Sequence, residues 1–157
     1  MAGLILLAVV TLLYAGYNLF IKLSGGHVPV EATTTILATI GIQLAALFTS
    51  GVFLSYLLLR GGQVFSLSNA TYFWAAVAGV CIGGAEIGYM YLFGGIGQSK
   101  PMDASLAIPT IVSGTIVIAM LFSYFVLKET IAWNQLVGSL LIVGGIIMFF
   151  VKGQVSV

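Results

Sequence analysis

Apolar side chains fall along this chain in five runs, and the polar residues gather between them. The runs cover about residues 3–22, 30–60, 70–97, 103–127 and 132–151. Between them lie Ser24-Gly25-Gly26-His27, Gly61-Gly62-Gln63, Ser99-Lys100-Pro101 and Lys128-Glu129-Thr130, and Lys152 follows the last run. Crossing a bilayer core takes roughly 20 helical residues. Lipid offers no partner to a backbone amide, so spanning segments are helices or strands of a closed barrel. Barrel strands read as short alternating segments, and nothing here alternates. The pattern predicts an all-α integral membrane protein of five transmembrane helices, one membrane domain with no soluble part of any size. The second run exceeds one span, so it is expected to tilt or project, and its Gly41 and Gly51 would allow a bend.

Composition agrees and narrows the chemistry. Hydrophobic residues make up 61% and charged ones only 6%, where a soluble domain carries about a quarter. Mean hydropathy is +1.19. A net charge of +1 provides no basic patch for nucleic acid. The sequence has one His and one Cys, no phosphate-binding Gly-Lys loop, no paired cysteines and no His-Glu-x-x-His helix. These features argue against an enzyme and against a cofactor or metal site. Cys81 lies inside the third run and has no partner for a disulfide. No Lys or Arg precedes the first apolar run, which is of span length, so a cleaved signal peptide is not expected. Lipid is the expected surroundings, and a prokaryotic plasma (inner) membrane the expected location.

Charge distribution bears on orientation. Alternating the loops across the membrane puts Arg60 and Lys128 on the side of the N-terminus, and Lys22, Lys100 and Lys152 on the other. Orientation follows from an asymmetry in Lys and Arg, and two against three scarcely supplies one. Either a small protein simply has few charges, or the chain inserts both ways.

Among the ionisable residues Glu86 stands apart. It falls near the middle of the third run, whereas every other Asp, Glu, Lys and Arg falls near a boundary. A carboxylate at the bilayer centre costs a few kcal/mol on insertion scales, and such residues mark ion and substrate pathways. Glu86 is therefore read as a group that exchanges a proton. The alternative is a protonated side chain that only bonds a neighbouring helix. Residues three, four and seven away share its helical face: Gly79, Ile82, Gly83, Tyr89, Met90 and Phe93. Gly83 leaves space for a ligand, and Tyr89 with Phe93 would stack on an organic cation or flat metabolite. The plainer readings are helix packing for the glycines, core filling for Met90 and lipid contact for the aromatics.

Weaker candidates lie on other runs. Tyr14 and Asn18 share a face of the first, and Gln43 sits near the centre of the second. Asn18 and Gln43 line a cavity or form interhelical hydrogen bonds. Lys22 is a pocket cation or, being near a helix end, a snorkelling one. Pro109 frees a backbone carbonyl, and with Thr110 and Ser113 it lines the pathway or forms a hinge. Trp74 and Trp133 read as interface anchors. Gly138, Leu141, Ile142 and Gly145 make a stripe of small and branched residues at three-to-four spacing, suited to close helix contact and read as a dimer interface.

Several stretches together resemble a known family. Pro109-Thr110-Ile111, the Lys128-Glu129-Thr130 turn and Gly138-Ser139-Leu140-Leu141-Ile142-Val143-Gly144-Gly145 are similar to the last two helices of the EamA-type repeat, the five-helix unit of the drug/metabolite transporter superfamily. Tyr14-Ala15-Gly16-Tyr17-Asn18-Leu19-Phe20-Ile21-Lys22 resembles its first helix. Gly138 to Ile146 is also similar to the dimerisation motif of the smaller multidrug-resistance transporters. Typical members carry two such repeats in opposite orientations, and this sequence carries one. Inverted repeats place the substrate site near the midplane between halves. The resemblance therefore implies half of an inverted-repeat transporter, paired as a homodimer, antiparallel by preference, or as a heterodimer with a second repeat. It implies proton-coupled export or exchange of small organic metabolites or drug-like compounds. The alternative from another class is a non-transporting membrane subunit that stabilises or regulates a larger complex.

Overall fold

The structure, a computed structural model, describes residues 2–62 and 66–151, apart from the side chains of Ala2 and Phe149. Gln63 and Lys152, two of the boundary markers above, lie outside the described residues. The described residues form five helices: α1 (Ala2–Gly25), α2 (Ala32–Arg60), α3 (Asn69–Gly94), α4 (Ala104–Phe125) and α5 (Trp133–Phe150). The first four are long and apolar enough to cross a membrane, whereas α5 is shorter.

Helix ends follow local chemistry. Ser68 caps α3, its Oγ accepting from the Thr71 N–H at 3.2 Å; such caps satisfy a donor that the first turn leaves free. At the other end, Gly95 turns left-handed at φ 75° and its N–H bonds the Tyr91 carbonyl at 3.1 Å. A side chain at Gly95 would also meet Pro101 at 3.0–3.1 Å. These constraints stop α3 at Gly94, three residues before the end of the apolar run. Helix α2 continues unbroken through Gly41 and Gly51. Its 29 residues span about 44 Å at 1.5 Å each, well beyond a roughly 30 Å hydrocarbon core. Helix α4 continues through Pro109. It ends where Lys128 takes a left-handed φ of 57° and the Glu129 N–H reaches back to the Ser123 carbonyl at 3.0 Å. Gln135 then starts α5, its Oε1 accepting from the Ala132 N–H at 2.9 Å.

Two compact units result, residues 1–102 and 103–157. In the first, α3 packs against both α1 and α2. Helices α1 and α3 run parallel, because the paired residues advance in step: Tyr17 with Tyr89, Lys22 with Phe93, Gly25 with Gly94. The core of this unit lies toward the C-terminal ends of these helices, where Ile21, Met90 and Phe93 are buried. In the second unit α4 packs against α5. Large apolar side chains crowd the outward faces: Phe48 is 73%, Val80 77% and Leu59 89% exposed. Continuous apolar surface on this scale suits lipid and not water.

Candidate functional site

Glu86 is buried, at 6% exposure. It lies eight residues before the end of α3, about 12 Å along the helix axis. The early stop at Gly94 therefore puts the acid in the last third of the helix and not at its middle. Parallel packing brings Tyr17 of α1 against it. The Tyr17 hydroxyl and the Glu86 carboxyl face each other closely enough to interact by charge and as hydrogen-bonding side chains, yet among the described residues neither the hydroxyl nor Oε2 has a partner in full hydrogen-bond geometry. Burying a polar atom without a partner costs about 1–3 kcal/mol. Two such atoms side by side therefore need an explanation. Both residues line a cleft of about 270 Å³ with Leu13, Tyr14 and Ile82.

The ring of Tyr17 is held edge-to-face on both sides, 6.4 Å from Tyr14 at 81° and 6.2 Å from Tyr89 at 83°. Tyr89 in turn lies 5.5 Å from Phe93. At the far end of this ladder Lys22 Nζ sits 5.0 Å from the centre of Phe93 and donates to the Met102 carbonyl at 2.8 Å. Lys22 is thus neither a pocket cation nor a snorkelling one. It ties the end of α1 to the segment that follows α3, where Gly25 lies so close that a Cβ would stand 3.0 Å from that of Phe93.

The other sequence candidates divide by where their polar atoms go. Asn18 is buried, but its amide donates to the Tyr14 carbonyl one turn back at 2.9 Å. Tyr14 is 60% exposed and walls the cleft. Gln43 stands against Gly83, its Nε2 3.1 Å from where a Cβ would be, so this glycine admits a neighbouring side chain. Tyr89, Met90 and Phe93 are buried, which leaves Tyr89 and Phe93 as packing aromatics rather than lipid-facing ones. In the second unit, Thr110 donates to the Leu106 carbonyl at 2.7 Å and Ser113 donates to that of Pro109. Both hydroxyl protons are engaged with their own helix. Gly138 and Ile142 line a cleft between α4 and α5, while Leu141 is 71% exposed and Gly145 also faces outward. A Cβ at Gly138 or Gly145 would meet nothing within 4 Å.

Compared with known families, the chain matches the model of the EamA-like transporter family over residues 1–151. It belongs to that family. Comparison with curated proteins gives no match, and neither does comparison with solved structures. As an EamA-like chain with four helices of spanning length, it is a multi-pass membrane protein and a transporter of the drug/metabolite superfamily.

Sequence reasoning missed Tyr17 as a member of the site of this EamA-like chain, because one more aromatic in an apolar helix carries no distinguishing signal. It also missed Thr35 and Thr39, which are buried on α2 with hydroxyls donating to the carbonyls of Glu31 and Thr35 at 2.9 and 3.0 Å. Their signal was present: Thr35, Thr39 and Gln43 recur every four residues and so share one helical face.

Proposed function

We propose that this chain is a proton-coupled secondary transporter that exports or exchanges small organic metabolites or drug-like compounds, with the cleft beside Glu86 as its substrate site. The single observation that carries this reading is the buried Oε2 of Glu86, a residue that lines that cleft, without a partner in full hydrogen-bond geometry and beside a Tyr17 hydroxyl in the same condition. An acid held this way in a membrane takes either a proton or a substrate group, and holding one excludes the other. That exclusion couples the two fluxes. Membership of the EamA-like family supports transport over a purely structural role.

All five helices cross the bilayer in this reading, α5 included, and the chain forms one membrane domain of a prokaryotic inner membrane. A second five-helix unit, by preference an inverted copy of this chain, completes the pathway, with Gly138, Leu141, Ile142 and Gly145 at the contact. The near-equal Lys and Arg distribution across the loops supports insertion both ways.

The test is Glu86→Gln, which keeps the shape and removes the ionisable group. Purified protein is reconstituted in liposomes loaded with a pH-sensitive dye and challenged with a panel of aromatic amines and cations. The wild type is expected to release protons against solute, and the variant to lose that flux while unfolding at the same temperature. Coupled flux retained in the variant would sink the assignment.

A further inference from the structure

The unpartnered atoms at the cleft also define what it binds, given the reading of Glu86 as the substrate-binding acid. We infer that the ligand is a small protonated primary or secondary amine with an apolar body, its ammonium N–H groups divided between Glu86 Oε2 and the Tyr17 oxygen.

Both atoms are buried, neither has a partner in full hydrogen-bond geometry, and both residues line one cleft, so a ligand reaches the atoms by a small turn of the two side chains. When ionised, Glu86 is an acceptor only, whereas a hydroxyl oxygen accepts as well as donates. A ligand that satisfies both atoms at once therefore presents at least two donors from one positive centre. A primary ammonium has three N–H donors and a secondary one two. A quaternary ammonium has none; it would balance the charge and leave both oxygens without hydrogen bonds. An anionic or neutral ligand would leave the carboxylate charge uncompensated away from water.

The aromatic residues point the same way. Quaternary ammonium ions are recognised by the faces of several rings. Here Tyr17 is flanked edge-on by Tyr14 and Tyr89, and Lys22 Nζ already covers Phe93. What the ladder does is fix the Tyr17 ring, which pre-positions its hydroxyl and lowers the ordering cost of binding. Leu13 and Ile82 complete the wall with apolar side chains. At about 270 Å³ the cleft is just below the roughly 300–1,000 Å³ of drug-sized pockets, so the apolar body is compact, on the scale of a single ring.

A matched pair of probes tests this: 2-phenylethylammonium and its N,N,N-trimethyl analogue, titrated calorimetrically into the purified full chain. The wild type is expected to bind the primary ammonium about a hundredfold more tightly, about tenfold for each of two hydrogen bonds to a charged group. Tyr17→Phe keeps the ring contacts, and it should cut that preference about tenfold by weakening the primary ammonium alone, the part owed to Glu86 remaining. Glu86→Gln should abolish binding of both. Thermal unfolding of each variant at the wild-type temperature establishes that it is folded.

The inference is overturned if the wild type binds the trimethyl probe as tightly, or fails to bind the primary ammonium, or if Tyr17→Phe leaves the preference undiminished. Loss of binding in Glu86→Gln without any preference between probes would overturn the amine assignment alone. Undiminished binding in Glu86→Gln would overturn the role of Glu86 with it.

Discussion

The two units of this chain differ in that only the first closes some of its helical glycines by its own packing. In the first, two glycines are closed by packing within the unit, while Gly41, Gly51, Gly79, Gly84 and Gly88 stay open: Gly25 lies against Phe93 with room for nothing larger, and Gly83 receives the end of Gln43. In the second, Gly138, Gly144 and Gly145 face open space, where an added Cβ would meet nothing within 4 Å. The first unit also buries polar and aromatic side chains together, namely Asn18, Thr35, Thr39, Glu86 and Tyr89. Along the α4–α5 pair Leu140 and Leu141 remain 62% and 71% exposed. Small residues in a membrane helix mark close approach, but the sequence does not say whether the approach is internal or to another chain. The comparison sets Gly25 and Gly83, closed by their own unit, against Gly138, Gly144 and Gly145, which their unit leaves open.

The largest expected effect breaks the first unit. Phe93 is fully buried and joins Tyr89, Lys22 and Gly25. Phe93→Ala should destabilise the protein by about 3–5 kcal/mol, as for other large-to-small changes at buried aromatics, read from unfolding in detergent. A glycine series then sharpens the contrast between units. Gly25→Val should cost about 1–3 kcal/mol through overpacking against Phe93. Gly83→Ala should cost less, because the atom it meets ends a flexible side chain. Gly145→Val should leave unfolding unchanged and reduce self-association, measured by cross-linking in liposomes. An equal loss of stability from Gly25→Val and Gly145→Val would erase the distinction.

The helices were legible because lipid enforces a simple rule: a span-length apolar run has no alternative to an α-helix. Their ends were legible to within a few residues. The α3 end was misjudged because the turn at Gly95 depends on its crowding with Pro101, a tertiary feature. Glu86 was legible as an ionisable residue away from the run boundaries. Its partner was not, since only the parallel packing of α1 on α3 selects Tyr17 from the other aromatics. Asn18, Thr110 and Ser113 show the opposite failure. Their polarity was visible in the sequence, but their hydrogens turn back to carbonyls of their own helices, the habit of short polar side chains within helices.

The central claim is that Glu86 is the ligand-bearing acid of this transporter, and a direct measurement tests it. A hydrophobic carbodiimide reacts with protonated carboxyl groups in apolar surroundings, and mass spectrometry locates the adduct. The account predicts that total modification at Glu86, the N-acylurea and the amide formed with the amine counted together, slows as 2-phenylethylammonium is added. Modification of Glu86 at the same rate with and without the amine would contradict it.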